Sequence, residues 1–158
     1  MLFHLPTIVT IGIDIAAWFV IHMGVSYIMT RQPLASFNVN SWLYRKRNWE
    51  GNGKFYEKFF RLKSWKGRLP DGAAIFKHGF EKKRLKETSN DYLDSFLRDT
   101  CRAELTHWII FLFGPLFLIW NILWVGIVMI LYATVVNMPC IITQRYNRIR
   151  LQRIVKLS

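Results

Sequence analysis

The sequence predicts an all-α integral membrane protein: an N-terminal transmembrane helix, a basic cytoplasmic amphipathic region, a transmembrane helical hairpin and a basic C-terminal tail. Three observations predict it. Two apolar runs, residues 5–29 and 105–136, are each long enough to cross a hydrocarbon core of about 30 Å, and the second holds no Lys, Arg, Asp or Glu over 32 residues. Twelve Phe, seven Trp and six Tyr are more aromatic rings than a soluble domain of 158 residues readily buries. Such rings are at home at a headgroup boundary. All 22 Lys and Arg lie outside the two runs, as the positive-inside rule requires of cytoplasmic segments.

Length allows one domain, here a single membrane domain over residues 1–158. The net charge of +12 could signal nucleic acid, but the apolar runs exclude a soluble nucleic-acid binder. Membrane lipids with anionic headgroups are the better partner. The two cysteines, Cys101 and Cys140, do not form a disulfide framework. Cys101 stands among Arg98, Asp99 and Arg102, so a reducing compartment and free thiols are expected.

Residues 5–29 form the first span. A cleaved signal peptide is the alternative, with Leu34-Ala35-Ser36 as a small-residue site, but no Lys or Arg precedes the run and it exceeds a usual apolar core. A retained anchor is expected. Residues 31–103 carry 17 Lys or Arg against eight acids. Within them, residues 54–66 place Phe55, Phe59 and Leu62 at i, i+4 and i+7 beside Lys58, Arg61 and Lys63. That pattern suits a helix lying in the interface plane, or equally the core helix of a small soluble unit, and the neighbouring spans favour the interface. Leu69-Pro70-Asp71-Gly72 reads as a turn. Ser89-Asn90-Asp91 marks a helix start, and that helix should run unbroken into the apolar stretch.

As one helix, residues 105–136 would rise about 48 Å, too long for one span. A single crossing would also carry Arg145, Arg148, Arg150, Arg153 and Lys156 to the outside. A hairpin with arms at 105–120 and 122–139 resolves both conflicts, its tip near Trp120-Asn121 and Pro115 loosening the first arm. Pro139 should end or kink the second arm, leaving 143–158 as a basic cytoplasmic tail. The topology is multi-pass in the cell membrane, N-terminus outside, basic loop and C-terminus cytoplasmic.

On a helix from Asp91, the residues Asp91, Asp94, Ser95, Arg98 and Arg102 share a wet face. Leu93, Phe96, Leu97, Thr100, Ala103, Glu104 and His107 fall on the opposite, apolar face. Ionisable groups there are costly and usually meet a cavity or a partner. At i and i+3, Glu104 can contact the His107 imidazole and fix its tautomer, leaving the other nitrogen to take a proton from a hydroxyl. The competing reading is a Glu–His pair that closes a buried polar site. A metal site would need more carboxylates and a second Glu-x-x-His, so no metal is expected. Asn137 falls at the depth of His107, where its amide can serve a sugar hydroxyl or oxyanion, or else carbonyls freed by Pro139. Arg145 and Arg148 suit a phosphate, or act as a topological anchor. Asp14 and His22 are placed to pair with polar groups of the hairpin. A thioester on Cys101 or Cys140 has no local support.

Three strings, Thr100-Cys101-Arg102-Ala103-Glu104-Leu105-Thr106-His107-Trp108, Asn137-Met138-Pro139 and Gln144-Arg145-Tyr146-Asn147-Arg148, together resemble the glycosyl-4,4'-diaponeurosporenoate acyltransferase family. Trp65-Lys66 and Leu69-Pro70-Asp71-Gly72 are similar as well, and the resemblance spans about residues 45–151. It implies a membrane O-acyltransferase that esterifies the glucose of a glycosylated C30 carotenoid, or of another glycolipid, with a fatty acyl group, the last step of staphyloxanthin formation. By motif it points to Arg102, Glu104, His107, Trp108, Asn137, Pro139, Gln144, Arg145, Tyr146, Asn147 and Arg148 without assigning the catalytic role, and the placement of His107, Glu104 and Asn137 described above makes these three the catalytic candidates. Arg102, Trp108, Gln144, Arg145, Tyr146, Asn147 and Arg148 are its substrate-binding candidates. No cofactor is implied beyond an acyl donor, acyl-CoA or another acyl carrier, and a hydrophobic glycoside acceptor. Because 158 residues leave little protein to enclose two lipids, a homo-oligomer would supply further walls. The alternative is a non-enzymatic membrane adaptor that binds anionic lipid or a partner enzyme.

Overall fold

A computed structural model describes residues 6–69 and 89–155. Every regular element among them is helical: α1 Thr7–Thr30, α2 Lys54–Phe59, α3 Leu62–Trp65, α4 Asn90–Leu112 and α5 Leu123–Val155, joined in places by 3-10 turns. Thr7–Thr30, Asn90–Leu118 and Leu123–Val155 are long and apolar enough to cross a membrane. The chain is a multi-pass membrane protein. From Pro70 onward, the turn expected at 69–72 lies outside the described residues.

Helix α1 is apolar nearly all round, and Ile8, Ile15, Phe19 and Val20 are each more than half exposed. An apolar surface of this kind needs lipid, and a helix satisfies its own backbone there. Asp14 is buried and holds α1 to the hairpin tip: its Oδ1 accepts from Trp120 Nε1 and Asn121 Nδ2, both at 2.8 Å. The expected pairing of Asp14 with the hairpin is present. One turn further, Trp18 stacks on Phe117 with ring centroids 4.5 Å apart, and His22 packs against Trp18 and Tyr132.

The hairpin forms as expected, with α4 unbroken from Asn90 to Leu112. A 3-10 turn at Gly114–Leu118 begins with Pro115, which fixes φ where no helical N–H is needed. The turn folds down onto α5 because Gly126 has no side chain. A Cβ there would meet Leu118 Cδ2 at 2.2 Å and Leu118 Cα at 3.3 Å, the close approach that small residues allow between membrane helices.

Three expectations give way. Pro139, expected to end or kink the second arm, does not end α5, which continues to Val155. The proline removes one helical bond, while Ile141, Tyr146, Arg148, Ile149 and Leu151 beyond it are all buried, and burial of that face holds the helix together. Residues 54–66 do not form one helix either. Arg61 takes a left-handed φ of 47° between α2 and α3, so Tyr56 and Leu62 both reach Tyr146 and Ile149 of α5. Phe59, expected in the apolar stripe, is 71% exposed. The core reading of this segment therefore fits Tyr56 and Leu62.

Third, Arg102 leaves the wet face and is buried. Asp99 pairs with it one turn back, and its Nη1 donates to Thr30 O at 3.0 Å and Gln32 O at 3.4 Å. A cation at the carbonyl end of α1 answers both the unpaired acceptors and the helix dipole. Arg102 clamps α4 to the end of α1.

Replacing Asp14 with Leu leaves two donors at the hairpin tip without an acceptor. Asp14→Leu is expected to lower the stability of the detergent-solubilised protein by about 1–3 kcal/mol, read as earlier thermal unfolding. An unchanged midpoint would mean that apolar packing alone holds the tip.

Candidate functional site

Helices α4 and α5 pack antiparallel along a seam with heptad spacing. Leu93, Leu97, Thr100, Glu104, His107 and Phe111 recur at intervals of four and three on α4, and Asn137, Ile141, Gln144, Arg148 and Leu151 do so on α5. Such spacing keeps one stripe facing a partner helix. Leu93 and Leu97 meet Leu151 at one end. Farther along, the seam turns polar, first at Glu104 and then at His107.

Glu104 is 1% exposed. Its Oε1 accepts from Arg145 Nη1 at 3.2 Å, and its Oε2 accepts from Arg148 Nη2. The second carboxylate of the cluster is Glu50, buried in the loop before α2. Glu50 Oε1 accepts from Arg145 Nε and from the Tyr56 hydroxyl, both at 2.6 Å, and its Oε2 accepts from the Arg47 N–H. Arg145 also donates to Leu43 O at 3.1 Å and Arg45 O at 3.2 Å, while Arg148 Nε donates to Tyr44 O at 3.2 Å. Two carboxylates and two guanidinium groups thus neutralise one another in the interior, and the loop carbonyls answer further donors, leaving Arg148 Nη1 buried without a hydrogen-bond partner among the described residues. Removing one partner of such a cluster strands a buried charge, at a cost of about 3–5 kcal/mol.

Burial alone would raise the Glu50 carboxyl, but hydrogen bonds from Arg145, Tyr56 and the Arg47 N–H outweigh it and hold the group below its ordinary range. Burial also pushes the Tyr44 hydroxyl up to about 12, helped by the nearby Cys101 and Glu104. Tyr56 is raised by burial and then by its bond to Glu50.

The cluster engages several of the candidates. Arg145 and Arg148, expected at a phosphate, are engaged with carboxylates and carbonyls. Glu104, expected on His107, gives both oxygens to those arginines. Tyr146 is fully buried, and its hydroxyl donates to Glu57 Oε1 at 2.6 Å and accepts from Arg150 Nη1 at 3.1 Å. Sequence reasoning passed over Glu50 and Tyr44. A lone acid three residues after Arg45-Lys46-Arg47 was the available signal.

A partner of His107 lies across the seam. Its Nδ1 is 3.0 Å from Asn137 Oδ1, and the same amide's Nδ2 donates to Ala133 O at 2.9 Å. Asn137 is fully buried on α5, its amide fixed by its own helix. A carbonyl only accepts, so Nδ2 must face Ala133 and Oδ1 must face the imidazole. His107 Nδ1 therefore carries the proton in the neutral ring, and the lone pair sits on Nε2. The amide expected to serve Pro139 instead bonds a carbonyl two residues before Val135, the one the proline frees. Nearby on the two helices, the Trp108 indole N–H and Gln144 Oε1 are buried with no hydrogen-bond partner among the described residues. Cys101 is fully buried and Cys140 partly so, with Cys140 Sγ 3.6 Å from Val136 O.

A family model described as glycosyl-4,4'-diaponeurosporenoate acyltransferase matches residues 40–157. The chain is 31% identical over 146 residues to the glycosyl-4,4'-diaponeurosporenoate acyltransferase of Staphylococcus aureus strain bovine RF122 / ET3-1, covering 89% of this chain and 84% of that protein. The proteins of that name from strains USA300 and NCTC 8325 / PS 47 match to the same extent. No solved structure matches.

Two outcomes test the charge cluster. Glu104→Gln leaves Arg148 buried without its anion and is expected to destabilise the protein by about 3–5 kcal/mol in denaturant unfolding. A Glu104→Gln protein as stable as wild type but without activity would return Glu104 to the chemistry. Glu50 has a lowered folded value, so its contribution is present above the unfolded value near 4.5 and fades as pH falls through the folded one. Unfolding should accordingly become easier below about pH 4.5, and Glu50→Gln should flatten that acid limb.

Proposed function

We propose that this chain, which belongs to the glycosyl-4,4'-diaponeurosporenoate acyltransferase family, esterifies a sugar hydroxyl of a carotenoid glycoside with a fatty acyl group at the cytoplasmic leaflet of the cell membrane. The chain is an acyltransferase by that membership. The observation that carries the mechanism is the Ala133–Asn137–His107 chain of hydrogen bonds, which puts the imidazole lone pair on Nε2.

The acceptor's apolar body stays in the bilayer, and its sugar reaches the seam where α4 and α5 pass from apolar to polar. His107 Nε2 takes the proton of the sugar hydroxyl as its oxygen attacks the acyl carbonyl of a thioester donor. The tetrahedral intermediate collapses, the C–S bond breaks, and the imidazolium returns its proton to the leaving sulfur. An ester and a free carrier thiol are the products, with no net proton change. Asn137 Oδ1 holds the ring through both steps and stabilises the imidazolium as a hydrogen-bond acceptor. The Trp108 indole N–H and Gln144 Oε1, buried without partners among the described residues, are the polar groups proposed to meet the sugar or the acyl oxygen.

Orientation follows from charge. Residues 31–103 and 145–156 together hold all 22 Lys and Arg, which favours an outside N-terminus and a cytoplasmic C-terminus.

His107→Ala is expected to lower acyl transfer by about 10²–10⁴-fold with the protein still inserted and folded, and cells carrying it should accumulate the unacylated glycoside in lipid extracts. The rate should fall at pH below the imidazole pKa, where Nε2 is already protonated. Asn137→Asp places a carboxylate beside the ring, raises the imidazole pKa and moves that acid limb to higher pH. Wild-type turnover in purified His107→Ala would remove the histidine from the reaction.

A further inference from the structure

Arg145 and Arg148 are engaged in the charge cluster, and a second group of cations meets α5 on another face, at Tyr146. Lys66 and Arg150 both rest on the Tyr146 ring, with Lys66 Nζ 4.9 Å and Arg150 Cζ 5.7 Å from its centroid. Lys66 Nζ is also 3.5 Å from Asn147 Oδ1, and Arg150 Nη1 donates to the Tyr146 hydroxyl. Among the described residues, neither cation forms a salt bridge with a carboxylate. Glu57, whose charge acts on both cations, already accepts from Lys63 at 2.8 Å and from Tyr146.

Two cations held on one buried ring repel each other, and a half-buried one loses hydration as well. Burial lowers the Lys66 amine, and the charges of Arg150 and Lys63 lower it further. An arrangement of this kind is relieved by an anion between the cations. Lys66 offers three N–H donors, Arg150 a planar fork, and Asn147, one turn before it, an amide. A phosphate has the charge and the oxygens to accept from all three.

We infer that Lys66, Asn147 and Arg150 form a phosphate-binding site, taking the phosphate of an acyl carrier or that of an anionic lipid headgroup. Asn147 lies ten residues from Asn137, about 15 Å of helix rise, so a carrier's flexible arm would run along α5 toward His107. That last assignment rests on the acyl-transfer reading; the phosphate site itself does not.

The test uses the full-length protein in phosphatidylcholine nanodiscs with coenzyme A as probe, and in nanodiscs containing phosphatidylglycerol with no probe added. Binding of coenzyme A by wild type, weakened about 10-fold or more in Lys66→Gln and in Arg150→Gln and recovered in Lys66→Arg, supports the carrier. If coenzyme A does not bind but phosphatidylglycerol is retained through purification by wild type and lost in both Gln variants, the phosphate is a lipid's. Equal binding and equal retention in wild type and both Gln variants would overturn the site. Binding is read without turnover, so an inactive His107→Ala protein that still binds coenzyme A separates failure of the proposed chemistry from failure of this site.

Discussion

The structure depends on the burial of Glu104 at a place where lipid gives way to water. A carboxylate there has no stable condition without cations, and both of its cations come from the half of α5 beyond Pro139. This requirement keeps α5 helical past its proline, because Arg145 and Arg148 reach Glu104 only from a continuous helix. It also draws in the loop before α2. Each arginine has donors left over after Glu104, and the carbonyls of Leu43, Tyr44 and Arg45, with the Glu50 carboxylate, accept from them. One buried charge therefore organises two membrane helices and a loop.

Residues that share one sequence string, such as Glu104 and His107, meet different groups because their side chains leave α4 in different directions. Glu104 meets guanidinium groups, whereas His107 meets an amide whose orientation its own helix dictates. The neutral amide suits a general base better than the carboxylate would. A carboxylate would raise the imidazole pKa and keep Nε2 protonated over more of the working pH range.

Lipid-facing and protein-facing surfaces divide the molecule along its length. Ile8, Phe19, Leu131 and Val135 are more than half exposed, on the portions of α1 and α5 away from the charge cluster. Tyr56, Leu62, Tyr146 and Ile149 form a packed core at the opposite end, where the chain is basic. A hydrophobic acceptor held in the first zone and a charged donor approaching from the second would meet near His107.

Apolar run length and the placement of Lys and Arg were enough to determine the three spans, the hairpin with its tip near Trp120 and Asn121, and the helical continuity of α4. Those features follow from local composition, because hydrocarbon thickness and the self-satisfied helical backbone leave few alternatives. The apolar face carrying Glu104 and His107, the depth of Asn137 and the pairing of Asp14 with the hairpin were legible for the same reason. Partner choice was not. Whether Arg145 meets phosphate or Glu50, and whether Arg102 faces water or the carbonyl end of α1, depends on groups far away in sequence. Helical periodicity gives the direction of a side chain and says nothing about what stands opposite. Only the tertiary structure decided that, since it alone sets which buried charges must neutralise each other.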